Sequence, residues 1–111
     1  MAVSVTVRPE IPGDFQNLPT HDLRLEAARY LLRLRDHPWL GLPLADHPKL
    51  GDLSDCRKIY FDEHDDIPPR YRIVYKLSLD ESGQAKGVDV VIVGPRASEQ
   101  VYREALARLG R

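Results

Sequence analysis

Three cations sit on or beside segments with the alternation of β-strands: Lys58, Arg72 and Arg96. Tyrosines accompany them, Tyr60 just beyond Lys58 and Tyr102 on the segment that follows Arg96. An arginine presents a planar fork that grips two phosphate oxygens, and a lysine adds a compact charge. A tyrosine offers a ring on which a base can stack and a hydroxyl that can donate, accept or titrate. These residue types together make a cradle for a phosphate and its base. None of them has an unperturbed pKa near neutrality. They therefore support phosphate binding more directly than proton transfer. Charged residues on a sheet face are most often only its solvated surface, so the inference depends on the elements that place them.

Val3 to Val7 alternates apolar and polar residues as a half-buried strand does. Pro9, Pro12 and Gly13 interrupt it, and Asp14 to Leu18 has room for one helical turn before Pro19. Thr20 and Asp22 are N-cap types that open HDLRLEAARYLLRLRDH. In that segment Leu23, Ala27, Tyr30, Leu31 and Leu34 recur at spacings of three and four, which predicts an amphipathic helix ending at Asp36-His37-Pro38. Pro38 to Leu53 reads as an irregular connector pinned by Trp39 and its leucines.

Three strands are predicted next, over Arg57–Phe61, Tyr71–Leu79 and Val88–Val93. Their short connections, DEHDDIPP and DESGQAKG, favour an antiparallel meander. DEHDD reads as a solvated acidic loop. A closing helix is expected from Ser98, an N-cap type, with Val101, Ala105, Leu106 and Leu109 on its core face and Gly110 as its stop. The fold class is α+β: a small antiparallel β-sheet, an N-terminal helix or helical pair, and a C-terminal helix, with the helices packed on one face. Residues 1–111 are expected to form a single domain.

Alternation puts Tyr71, Ile73, Tyr75, Leu77 and Leu79 on one face of their strand, and Arg72, Val74, Lys76 and Ser78 on the other. If the apolar faces meet the helices, Lys58, Tyr60 and Arg72 share the opposite, more open face. Arg96 follows at the edge, and the closing helix can bring Tyr102 near.

The chain has 111 residues, of which 42% are hydrophobic and 30% charged, the balance of an ordinary globular domain. A net charge of −1 argues against a protein that coats nucleic acid through unselective phosphate contacts. Any such role must rest on a focused cluster. Cys56 has no cysteine partner, and a buried small residue is its simplest reading. The longest apolar run, Val90–Val93, is far too short to span a bilayer, and the start of the chain lacks a signal-peptide pattern. A cytoplasmic location without membrane contact is expected. His21, His37, His47 and His64 are scattered without metal-binding spacing. Arg8, Arg24, Arg29, Arg33 and Arg35 read as a solvated face.

Taken in order, GDLSDCRKIYF, PRYRIVYKL and VIVGPRASEQVYREALARL resemble the RelE/ParE superfamily of type II toxin–antitoxin toxins, and the RelE branch in particular. The resemblance runs from Gly51 to the end; the first half agrees in layout. It implies a small α+β toxin with a RelE-like fold that acts as a ribosome-dependent messenger-RNA endoribonuclease. Its basic, metal-free site needs no cofactor and works through the substrate's own 2′-hydroxyl. The family's catalytic positions fall on Lys58, Arg72, Arg96 and Tyr102, with Lys58, Tyr60, Arg72 and Arg96 contacting RNA. Tyr60 stands where the RelE pattern has a second lysine, and the mild overall acidity is a further departure.

In such a site Lys58 and Arg72 stabilise the phosphorane. Tyr102 stacks a nucleotide or acts as base, and Arg96 neutralises or protonates the leaving oxygen. The implied partners are a cognate antitoxin, the ribosome and messenger RNA, with DNA reached only through the antitoxin. The alternatives are a ParE-like inhibitor of DNA gyrase and an inactive toxin-fold binding module.

Overall fold

The segment Val90–Val93 is apolar at four successive positions, so no alternation can hide it against one layer alone. A strand of this kind has to be buried on both faces. The computed structural model, which describes residues 3–44 and 51–111, is built around that requirement. The strands are β1 (Ser4–Val7), β2 (Leu42–Pro43), β3 (Cys56–Phe61), β4 (Tyr71–Leu79) and β5 (Ala85–Pro95). The helices are α1 (Ile11–Asn17), α2 (His21–Arg33) and α3 (Gln100–Arg108), the last entered through a 3₁₀ turn at Ala97–Glu99. The sheet order is β1-β5-β4-β3-β2. β2 to β5 pair antiparallel, and β1 joins the edge parallel to β5.

The α+β class and the β3–β4–β5 meander agree with the expectation from sequence, and β4 spans the predicted Tyr71–Leu79. The placement of the helices does not. One core packs Ile11, Leu18, Leu23, Ala27 and Leu34, from α1, α2 and their flanks, against Ile59, Phe61, Ile73, Tyr75 and Val90. A second core packs Val101, Tyr102, Ala105 and Leu106 of α3 against Cys56, Val74, Val91 and Ile92. Helices therefore cover both faces. A β-bulge makes this possible: Val74 lies opposite Ile92 while Tyr75 lies opposite Val90, leaving Val91 as the extra residue. The inserted residue shifts the phase of the strand. Val90 and Val93 thus enter the first core, and Val91 and Ile92 the second.

Several boundaries also move. The first helix starts at Ile11, ahead of the turn expected over Asp14 to Leu18, and Pro12 lies in its first turn, where a missing N–H costs nothing. Thr20 caps α2 as expected, its Oγ1 accepting from Leu23 N at 3.2 Å. Ser98 is not the N-cap of α3. That position belongs to Glu99, whose φ of 58° turns the chain from the 3₁₀ turn into the helix. The connector contributes β2, because Leu42 and Pro43 pair with Lys58 and Arg57. Its stretch 45–50, with His47, lies outside the described residues. Trp39 is no core anchor; it is 49% exposed, with the Arg57 guanidinium 5.2 Å from its ring centroid.

β1 pairs with β5 only as far as Val90, so the rest of that β5 edge lacks a strand neighbour among the described residues. An ion pair takes the place of one. Asp14 Oδ2 accepts from Val93 N at 3.0 Å, and Arg108 Nη1 donates to Val91 O at 2.9 Å. The two side chains close on each other through contacts of 2.7 and 2.8 Å. Arg8 extends the network by donating to Arg108 O at 2.7 Å and to Asp89 at 2.9 Å. Arg8 is therefore not part of a solvated face. Nor is Arg24, which donates to Phe15 O and Leu18 O.

Removing one member of a largely buried pair strands the other's charge. Asp14→Ala is expected to cost about 3 kcal/mol, read as a lower urea midpoint. Asp14→Asn, which keeps an acceptor for Val93 N, should cost clearly less. Equal midpoints for the two variants would contradict this account.

Candidate active site

In the β3–β4 register Lys58 faces Val74 and Tyr60 faces Arg72. Opposed residues of an antiparallel pair project to the same side. Lys58, Tyr60 and Arg72 thus share the face on which α3 packs, and α3 supplies Tyr102. That face is not the open one expected: Lys58, Arg72 and Tyr102 are 7%, 8% and 5% exposed, and only Tyr60 reaches solvent, at 39%. The Arg72 guanidinium carbon lies 3.9 Å from the centroid of the Tyr60 ring. Lys58 Nζ lies 5.4 Å from the Tyr60 centroid and 5.9 Å from that of Tyr102. Cation–π attraction at such distances strengthens as water is removed.

Arg72 is fixed further by its backbone surroundings. Its Nη1 donates to Pro69 O and to Tyr71 O, each at 2.9 Å. Its Nε is buried and has no hydrogen-bond acceptor among the described residues. The result is a guanidinium held in place, shielded from water and incompletely satisfied.

Arg96 occupies a different place. It precedes the 3₁₀ turn and lines a cleft of about 560 Å³ with Arg70, Tyr71, Pro95, Ala97 and Glu99. Its backbone N donates to Arg70 O at 2.9 Å, extending the β4–β5 pairing by one rung. Among the described residues, no hydrogen bond, ion pair or ring contact joins the Arg96 side chain to Lys58, Tyr60, Arg72 or Tyr102. Four predicted residues converge, and the fifth stands beside them at the end of the sheet.

The acidic loop is more than solvated surface. The Asp62 side chain is fully buried, and its carboxylate accepts four bonds: from Glu63 N at 2.8 Å, Arg70 N at 3.0 Å, Arg70 Nε at 2.8 Å and Arg70 Nη2 at 2.9 Å. This clamp closes the β3–β4 connection and aims Arg70. Composition hides it, because Asp62 reads as one more acid in DEHDD. The usable signal is positional: an acid directly after one strand and a base directly before its antiparallel partner must come side by side. Across the same loop, the Thr20 hydroxyl donates to Glu63 at 2.7 Å and ties it to α2.

The strand bearing Lys58 is braced from its other side. The Tyr75 hydroxyl donates to Pro38 O at 2.7 Å and accepts from Gly41 N at 2.9 Å. A Cβ on Gly41 would stand 2.8 Å from Lys58 O and 2.9 Å from the Tyr75 ring, so only glycine permits this approach. Cys56 is buried as expected, and burial pushes its thiol up to about 12, which makes it inert as a nucleophile at neutral pH.

The Arg70 hydrogen bonds hold the Asp62 carboxyl well below the ordinary carboxylate range, outweighing the opposing effect of burial. Its native pKa is thus depressed relative to the unfolded chain, where it lies near 3.8. The clamp contributes its full stability above that pH and loses it as the pH falls towards the native value. Asp62→Asn should lower stability at neutral pH and flatten the loss of stability below pH about 4. Denaturant unfolding across that range measures both effects, and an unchanged acid limb would contradict the assignment.

No family model and no curated protein sequence matches this chain. Two solved structures do. A double arginine-to-alanine mutant of the Escherichia coli toxin RelE, in its free state, superposes with a TM-score of 0.67 at 23% identity, over 98% of this chain and 99% of that one. The Mycobacterium tuberculosis toxin–antitoxin complex RelBE2 follows, with a TM-score of 0.59 at 17% identity, over 86% of this chain and 100% of its own. The sheet order, the helices on both faces and this near-complete superposition together establish that the chain has the fold of the toxin RelE.

Proposed function

We propose that this chain is the toxin of a type II toxin–antitoxin pair and belongs to the RelE branch of the RelE/ParE superfamily. In this reading residues 1–111 are one toxin domain that cleaves messenger RNA at the ribosomal decoding site. The observation that carries it is the convergence of Lys58, Tyr60, Arg72 and Tyr102, with both cations buried and held against aromatic rings. A scissile phosphate entering between them meets two fixed positive groups.

Cleavage by the substrate's own 2′-hydroxyl concentrates negative charge on the phosphorane. Preorganised cations in a water-poor site stabilise that charge more than they stabilise the ground state. Arg72 suits this role, since two backbone carbonyls and the Tyr60 ring hold its guanidinium and no carboxylate offsets its charge at ion-pair distance among the described residues. Lys58 adds a second charge. Tyr102 stacks or orients the nucleotide, and Arg96, reaching from the neighbouring cleft, neutralises the leaving oxygen. The ribosome supplies in-line alignment, which accounts for much of the barrier in reactions of this kind.

Tyr60 replaces a cation of the RelE pattern with a platform shared by two cations. The neighbour from M. tuberculosis is a toxin–antitoxin complex, which supports a cognate antitoxin as the restraining partner. Contact with operator DNA then belongs to the antitoxin, and the toxin works in the cytoplasm.

Primer extension on a translated message with purified ribosomes tests the reading. Wild type should cut within A-site codons, and Arg72→Ala or Arg96→Ala should reduce cutting by about 100-fold or more. Tyr60→Phe should keep most activity and Tyr60→Ala should lose most of it, since the ring and not the hydroxyl holds Arg72. Intact message with folded wild-type protein, joined to inhibited gyrase supercoiling, would replace this reading with the ParE-like one.

A further inference from the structure

The cleft beside the four-residue cluster contains an arginine that the proposed chemistry does not use. Arg70 is 60% exposed at its side chain, yet the buried Asp62 grips it through Nε and Nη2. Exposed arginines ordinarily keep their rotamer freedom. Here a carboxylate withdrawn from solvent fixes the direction of one. Nη1 makes no hydrogen bond among the described residues, so the outer edge of the fork is presented to solvent in a set orientation. The Tyr71 ring, with its centroid 5.6 Å from the guanidinium carbon, supports it from beneath.

Arg96 stands across the cleft, locked to the same rung by its N–H to Arg70 O. Protein donors occupy the Asp62 oxygens, so they compete for no further donor of the fork, while the Asp62 charge offsets part of the attraction that Arg70 exerts on an anion. Glu99 lies on the remaining wall, where its charge opposes an anion and leaves the arginine side of the cleft as the favourable one. The cleft adjoins the cluster directly: the Arg72 guanidinium bonds the carbonyls of Pro69 and Tyr71, on either side of Arg70. Arg70 and Arg72, two residues apart on extended backbone, are separated by about 6.7 Å along the chain. That step is comparable to the one between successive phosphates of an extended nucleic-acid strand.

We infer that Arg70 is a second phosphate-binding residue, which takes the phosphodiester next to the scissile one as the RNA strand leaves the Lys58–Arg72 cluster through this cleft. The inference rests on the proposed RNA substrate and adds a subsite to it. Arg70 is a positioning residue: it holds the neighbouring nucleotide so that the reacting phosphate cannot slide along the strand.

The test is fluorescence anisotropy with 2′-O-methylated oligoribonucleotides, which cannot be cleaved, carrying one phosphodiester or three. Wild type should bind the longer strand more tightly. Arg70→Ala should remove about tenfold of that increment while leaving the one-phosphodiester strand nearly unaffected. The slope of log affinity against log salt should fall by about 0.7, the value for one contact on a single strand. Arg70→Lys should retain the slope. Because Arg70→Ala strands the Asp62 carboxylate, the comparison is repeated in an Asp62→Asn background, where no buried charge is left behind.

An increment and slope equal to wild type in both backgrounds would overturn the proposal, even where Arg72→Ala weakens both strands. Failure of the RNA reading itself looks different: neither strand binds wild type, or Arg72→Ala changes neither affinity.

Discussion

The central constraint is that β5 is apolar in consecutive positions and cannot be satisfied by one layer. Its bulge at Val91 distributes Val90 and Val93 to one core and Val91 and Ile92 to the other. Once both faces of β5 need cover, α3 must return across the face opposite α1 and α2. That return buries Lys58 and Arg72 and brings Tyr102 over them. The candidate site is therefore not an addition to the fold but a result of how the central strand is buried. A β5 with strict alternation would have left the same cations on an open, wet sheet face.

Burial makes those cations costly and strong at once. Withdrawing a charge from water carries a penalty of several kcal/mol after relaxation, and a desolvated cation–π contact returns about 2. Arg72 recovers more through two backbone carbonyls, yet its Nε stays without an acceptor. In a low-dielectric site an unmatched donor is a standing deficit. Packing elsewhere carries the cost, notably the two cores and the Asp14–Arg108 plug on the β5 edge.

Much of this was legible in the chain because it depends on local periodicity. Alternation within each strand separates Lys58 and Tyr60 from Ile59, and Arg72 from Ile73, and the β3–β4 register, which the structure supplies, joins the two polar sides on one face. What escaped depends on contacts between distant residues. The bulge adds one residue to a strand whose apolar run shows no phase, so the side on which α3 lands cannot be read from it. Asp14 and Arg108 are far apart in sequence, and nothing local marks either as a partner. Trp39 looks like a core residue by type. It is exposed because Tyr75 and Gly41 hold the connector against β3, and Arg57 covers its ring. Arg96 carries the family resemblance in sequence, but only the geometry shows that it stands in a cleft of its own.

Net charge is the last place where a total conceals an arrangement. A value of −1 suggests a poor partner for RNA, but the acidic residues are not spread evenly against the basic ones. Asp14, Asp55, Asp62 and Asp89 are each committed to an arginine: Arg108, Arg111, Arg70 and Arg8. Arg72 and Arg96 meet no carboxylate at ion-pair distance among the described residues. The aspartate–arginine pairs brace helix ends, a strand edge and a loop, and each takes one base out of play together with one acid. Fields add by position rather than by sum, and a phosphate a few ångströms away responds to the nearest unscreened charges. A mildly acidic chain can therefore hold a strongly basic site, provided that its carboxylates are anchored elsewhere.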